Sequence, residues 1–320
     1  MTIERNYSID SLKLICAFLV VLVHCKYPYK AEVLPVTDVA VPLFFGISGY
    51  FVFGAKRSWK RVVRIAEIFA WSALLYLAKT EAFHLLTTQK LWMPSWHAVE
   101  NFIFFNDVAF SIHLWYLPAY IYVLVMAFFI DKFKLWRISF YTIIPLLLIG
   151  VFVKYFIADV CPEEIHYYRN AYFCGLPYFL VGAIVRNYPP PYIVSSVKSR
   201  RIIYVVLIVI LFVIRYLLVG KDFTAIALRE LNLLLLACAI LRLVTICIQP
   251  KNNLLSRIGN RYSLYIYIFH VLIMSVCEMF AIKLPTIIYD SYMNINPICV
   301  FLLSISLSSL LGKLQVIKIK

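Results

Sequence analysis

Lys13 and His24 lie eleven residues apart in the first apolar run of the chain. Eleven residues of α-helix turn through about 1,100°, within roughly 20° of a whole number of turns, and rise about 16 Å. One stripe of a membrane-length helix therefore carries an ammonium near one end and an imidazole near the other. Ionisable groups at such depth are costly and often functional, and histidine accepts and returns a proton near neutral pH. The plainer reading is a lysine that snorkels to the headgroups and a histidine that marks the far boundary. Asp10, three residues before Lys13, can pair with it across one turn or cap the helix start.

Arg61 and Arg64 stand one turn apart, with Glu67 a further turn on. Positive charge at the inner face of a membrane accounts for them without any site. As a same-face pair they can also grip phosphates bidentately, with Glu67 orienting one guanidinium. His113, Tyr116 and Tyr120 share a face at i, i+3 and i+7, where an aromatic belt explains Trp115 and Tyr116 equally well. Arg169 and Asn170 open a later apolar run on a side with few basic residues. Ser263, Tyr267 and His270 share one face of the ninth run, with His270 about midway along it. A buried midplane histidine is a better functional candidate than one at a boundary, although it can also simply hold two helices together. No metal site is expected, because no CxxC or Cys/His spacing is present. Cys16, Cys174, Cys238, Cys247, Cys277 and Cys299 lie in or beside apolar runs, where a thiol behaves as a small hydrophobe. Cys25 and Cys161 are the one pair placed for a bridge.

The elements that position these groups must be membrane helices. Of 320 residues, 63% are apolar and 15% charged, with a mean hydropathy of +0.85. About a quarter of a soluble chain is charged, so a soluble enzyme is excluded. The net charge of +15 does not imply nucleic acid, because the basic residues sit mostly in short segments between apolar runs. The run from Leu12 to Val23 has no small-residue cleavage site and reads as a retained span.

Runs bounded by charge or proline predict ten transmembrane helices, at about 10–27, 37–54, 65–85, 113–131, 137–155, 171–186, 202–219, 225–247, 262–281 and 295–314. Charge sets their orientation. Arg5, Lys56, Arg57, Lys60, Arg61, Arg64, Lys132, Lys134, Arg137 and Arg186 fall on one side of that arrangement. Lys198, Arg200, Arg201, Arg242, Lys251, Arg257, Arg261, Lys313, Lys318 and Lys320 join them, making 20 basic residues against nine on the other side. Both termini are then cytoplasmic. Residues 86–112 form an aromatic outer segment, read as an interfacial helix or a partly re-entrant lid. Gly175, Pro177 and Gly182 predict a broken or tilted sixth span.

Taken in order, these stretches resemble the acyltransferase-3 family of integral membrane acyltransferases over nearly the whole chain. Lys13 and His24 match its basic residue, ten-residue spacer and histidine, with lysine in place of the commoner arginine. Val41-Pro42-Leu43-Phe44-Phe45-Gly46-Ile47-Ser48-Gly49-Tyr50 is similar to its hydrophobic-Ser-Gly-aromatic segment, and Arg61 with Arg64 to its Arg-x-x-Arg motif. Leu114-Trp115-Tyr116-Leu117 resembles an aromatic helix start, and Arg169-Asn170 through Gly182 an arginine-led, glycine-closed span. Tyr262 through His270 resembles the Ser-Leu…His signature near the family's end.

The resemblance implies a single membrane-embedded domain over residues 1–320 that moves an acyl group, typically acetyl, from acetyl-CoA to a hydroxyl of a sugar, glycan or lipid-linked intermediate. Some relatives add an extracytoplasmic domain, or an eleventh span leading to one. This sequence reaches Lys320 without either, so the whole activity is expected in the membrane domain. Lys13, Arg61 and Arg64, with Glu67, would hold the CoA phosphates. His24 would be the general base or acyl relay, while Ser48, Tyr50 and His270 would orient it or donate to the developing oxyanion. A covalent acyl-Ser48 stays open. Acyl-CoA serves as co-substrate with no resident cofactor, and the expected partners are the glycan acceptor and membrane lipids, in a bacterial cytoplasmic membrane. A glycan-intermediate transporter or flippase shares the polar path but gives no reason for an arginine pair beside a histidine-bearing helix. A non-catalytic scaffold predicts that His24 tolerates substitution.

Overall fold

The computed structural model describes residues 6–55, 58–161, 164–188, 196–247 and 252–314. Arg5, Lys56, Arg57, Lys251, Lys318 and Lys320, used above to orient the chain, lie outside the described residues, as do both termini. The helices are α1 (Tyr7–His24), α2 (Lys30–Thr37), α3 (Ala40–Val52), α4 (Ser58–Thr88) and α5 (Trp96–Phe105). They continue as α6 (Tyr116–Lys132), α7 (Trp136–Tyr141), α8 (Ile143–Val160), α9 (Leu176–Asn187) and α10 (Val197–Leu217). The last are α11 (Phe223–Ile246), α12 (Leu254–Ala281) and α13 (Thr286–Lys313). No strand occurs among the described residues.

Each of the ten apolar runs falls on helix. By length and composition, six segments are able to cross a membrane: Tyr7–His24, Lys30–Val52, Ile112–Lys132, Phe223–Ile246, Leu254–Ala281 and Thr286–Lys313. Of the remaining runs, two are interrupted by charge and one is short. Helix α4 carries Lys60, Arg61, Arg64, Glu67, Lys79 and Glu81, and α10 carries Lys198, Arg200, Arg201 and Arg215. Helix α8 runs 18 residues, Ile143–Val160, and its apolar stretch is described over Ile143–Ile157. The 12 residues of α9 reach about 18 Å, against a hydrocarbon core of about 30 Å. The break expected in the sixth run is present, as a π-helical turn over Ala171–Gly175 before α9. Residues 86–112 contain one short helix, α5, started by the Ser95 side chain and ended by Asn106 in the left-handed region.

The chain divides into two compact units. Unit 1 holds Met1–Phe44, Pro191–Tyr216 and Ala239–Lys320; unit 2 holds Phe45–Pro190 and Leu217–Cys238. In unit 1, α1 packs against α12 and α13. Leu14, Ala17, Val21, Cys25, Ile266 and Val300 form its buried apolar core. The α1–α12 approach needs Gly259, where a Cβ would lie 1.9 Å from the Asp10 carbonyl oxygen. In unit 2, α4 packs on α6, and α8 and α9 on the π turn. The second half of α3 crosses α9 backbone to backbone. A Cβ on Gly49 would stand 1.8 Å from the Phe179 carbonyl oxygen, and one on Gly182 1.8 Å from that of Gly46. The glycines of both resemblance motifs thus belong to a single helix crossing. All eight cysteines are free. The bridge that the sequence left open between Cys25 and Cys161 is not formed; Cys25 lies in the core of unit 1 and Cys161 is exposed.

Candidate functional site

His24 is the last residue of α1, and the chain turns extended at Cys25. Asn6 caps the other end, accepting from the Ser8 and Ile9 amides, so Asp10 is not the cap. Asp10 is instead buried and paired with Lys13 at 2.9 Å. A lone carboxylate there would be strongly disfavoured, and the ammonium one turn on neutralises it. The Ser8 hydroxyl adds a hydrogen bond to the Cys247 carbonyl.

The imidazoles of His24 and His270 face each other, ring centroids 5.0 Å apart at 49°. His270 is completely buried, and its Nδ1 sits 2.7 Å from the Tyr267 carbonyl oxygen and 3.3 Å from that of Ile266. A carbonyl only accepts, so Nδ1 carries the proton and donates it, which leaves the lone pair on Nε2. Ser263 and Tyr267 are buried on the same helix, and the Tyr267 ring lies 6.2 Å from that of His270. The chain beyond His24 is pinned as well. Buried Asn296 donates to the Lys26 carbonyl at 2.9 Å and accepts from the Tyr292 hydroxyl at 2.7 Å, while Lys26 pairs with Glu278 at 3.3 Å.

Unit 2 gathers hydroxyls, guanidiniums and rings. The Ser48 hydroxyl is hydrogen-bonded to that of Tyr120, and Arg61 is near enough to act on Tyr120 electrostatically. Arg61 Nη1 donates to the Phe51 carbonyl at 2.9 Å, at the end of α3. Tyr50 receives a hydrogen bond of 3.2 Å from Arg186 Nη1, and its ring lies 5.2 Å under the same guanidinium. Arg64 and Glu67 are exposed, and among the described residues Glu67 pairs with neither arginine. Its orienting role finds no contact because both side chains of that turn point outward.

The other candidates divide. Phe45 packs on Tyr116 at 4.8 Å and Trp115 at 6.5 Å, and the Arg169 guanidinium lies 5.1 Å over the Trp115 ring. Buried His113 bonds Ser111 through Nδ1 at 2.9 Å and meets Tyr76 edge-on at 4.5 Å. Asn170 is fully engaged. Its Oδ1 accepts from the Tyr172 and Phe173 amides, and its Nδ2 donates to the His166 and Tyr167 carbonyls. That is an N-cap, a structural duty. His166 went unnoticed in the sequence; its Nε2 is 3.0 Å from Glu164 Oε2. Burial holds its pKa below the ordinary value, with Asp107 and Glu164 acting the other way.

The sequence matches the acyltransferase-3 family, described as an acyltransferase domain, over residues 6–312. The chain belongs to this family. As an acyltransferase-3 member with six bilayer-length apolar segments, it is a membrane protein of an acyl-transferring family. It is also similar to two proteins of Enterococcus faecalis named amino-acid racemase. One is 29% identical over 351 residues, 99% of this chain and 48% of that protein. The other is 26% identical over 220 residues, 60% of this chain and 30% of that protein. The chain spans about half the length of the first of these relatives, and less of the second. No solved structure matches it.

Proposed function

We propose that this family member transfers an acyl group, acetyl in the first instance, from acyl-CoA to a hydroxyl of a glycan or lipid-linked sugar. The observation that carries the reading is the facing His24–His270 pair, with one tautomer fixed by backbone carbonyls. His24 removes the acceptor's hydroxyl proton as its oxygen attacks the thioester carbonyl. The C–S bond then breaks, and the imidazolium returns the proton to the departing CoA thiolate. His270, whose ring lies beside that of His24, is assigned to orient it. Ser48, already bonded to Tyr120, is assigned as a donor to the thioester oxygen together with Tyr50. Lys13, Arg61 and Arg64 are assigned to the donor phosphates.

The proposed setting is a bacterial cytoplasmic membrane, with ten spans, the Lys60–Arg64 and Arg257–Arg261 segments inside and residues 87–106 outside. Cysteine-accessibility labelling of intact cells tests it; label on either basic segment from outside overturns it. The activity is tested by acetyl transfer from acetyl-CoA with purified protein and by mass spectrometry of envelope glycans from cells with and without the chain. O-acetyl groups that vanish with the chain support the reading. Absence of any acyl-CoA turnover by well-folded protein contradicts it, and racemisation of an amino acid by the same preparation would bring the relatives' name to this chain.

A further inference from the structure

In unit 2 the end of α3 is more than a helix terminus. Tyr50 holds the Arg186 guanidinium by its hydroxyl and its ring face, and the next carbonyl, that of Phe51, holds Arg61. Two residues further, the Phe53 ring packs edge-on against Trp136 at 4.9 Å and lies 6.5 Å from Phe140. Phe140 in turn lies 6.2 Å from Tyr188, two residues beyond Arg186. Through the end of α3 and the stretch from Arg186 to Tyr188, these contacts connect two anchored guanidiniums with four aromatic rings. Trp136 is further fixed by its indole N–H, which donates to Asp131 at 2.9 Å. Trp136 and Phe140 are half-buried and Tyr188 is 50% exposed, so ring faces stay reachable.

Rings of this kind bind a purine by stacking, and a guanidinium already held in place presents its fork to phosphate with little further ordering. We propose that this surface binds the nucleotide half of the acyl donor, with adenine on the rings and phosphates on Arg186 and Arg61. The inference rests on the acyl-CoA reading above and adds Arg186 to the donor site, a residue whose sequence context marks it only as inside charge. Four rings packed for their own sake, as an aromatic belt at the membrane face, are the alternative.

The test uses the full-length purified protein and two readouts. One is the affinity for adenosine 3′,5′-bisphosphate, measured by competition with acetyl-CoA or by direct binding. The other is the ratio of kcat/KM for acetyl-CoA to that for acetyl-pantetheine, which lacks the nucleotide. Trp136→Ala and Arg186→Gln should each weaken nucleotide binding roughly tenfold or more and lower the ratio by a similar factor. Arg186→Lys should fall between, because the fork is lost but the charge kept. Folded variants that retain both affinity and ratio overturn the inference and leave an aromatic belt. Photolabelling of the wild type with 8-azidoadenosine 3′,5′-bisphosphate reads the site without any variant; label on residues 136–140 or Tyr188 supports it, and label elsewhere overturns it. Nucleotide binding without acyl transfer defeats the acyltransferase reading and spares the site. Acyl transfer with unchanged variants defeats the site alone.

Discussion

The two units treat their polar groups differently. In unit 1 several are sunk and tied to backbone: His270 to the Tyr267 carbonyl, Asn296 to that of Lys26, Ser8 to that of Cys247, with Asp10 closed by Lys13. In unit 2 the cations lie against aromatic faces, Arg186 on Tyr50 and Arg169 on Trp115, and hydroxyls meet hydroxyls, Ser48 with Tyr120. Backbone ties fix a geometry closely and leave little freedom, as a proton-transferring pair requires. A guanidinium held over a ring has its plane fixed, which suits it to an anionic ligand. The proposed function assigns proton transfer to groups of the first kind and donor recognition mainly to groups of the second.

That contrast breaks first at the glycine crossing of unit 2. Gly49→Ala or Gly182→Ala forces a methyl onto a carbonyl at 1.8 Å. The expected loss is about 3 kcal/mol or more, at the upper end for overpacking, read as a collapse of detergent-solubilised yield and thermal stability. Wild-type stability in either variant would show that the crossing adjusts freely. Donor binding comes next. Arg61→Ala should weaken acyl-CoA binding by about 1.5–3 kcal/mol, the worth of a charge-assisted contact. Arg64→Ala should weaken it less, because its side chain is exposed, and Arg61→Lys should recover only part. Equal affinity in all three would reduce the arginines to topology signals.

In unit 1, Asn296→Asp leaves the Lys26 carbonyl without its donor and should cost about 1–3 kcal/mol of stability. Tyr292→Phe, which removes only the hydroxyl on Asn296, should cost less; the reverse order would discount the tether. The smallest effect concerns His166. Its lowered pKa means that the unfolded chain takes up the proton first as the pH falls. Its contribution to stability is therefore present above the unfolded value and is lost as the pH drops toward the folded one. His166→Gln should blunt that acid sensitivity slightly; an unchanged pH profile of unfolding would remove His166 from the account.

The apolar runs were legible because a bilayer imposes length and composition on every helix that enters it, and each run lies on helix. Bilayer-crossing length was harder to read, since α4 trades apolar residues for charge and α9 stops short. Eleven-residue spacing put Lys13 and His24 on one stripe, but only packing brought His270 to face His24. Asn170 carried a functional look that its four backbone partners explain. Arg186, Trp136 and Asn296 gave no signal, because their partners are distant in sequence and lone residues of those types carry no period.

The central claim, that proton transfer belongs to the histidine pair, is tested most directly by the kcat and acyl-CoA affinity of purified His24→Ala beside His270→Ala. The account predicts that His24→Ala inserts and binds acyl-CoA as the wild type does, while kcat falls by about 10² to 10⁴, the range for a lost general base. His24→Gln should not restore it, and His270→Ala should lose less. Near wild-type turnover by His24→Ala, with a folded and inactive His270→Ala, would move the base to His270, and full activity in both would contradict the account.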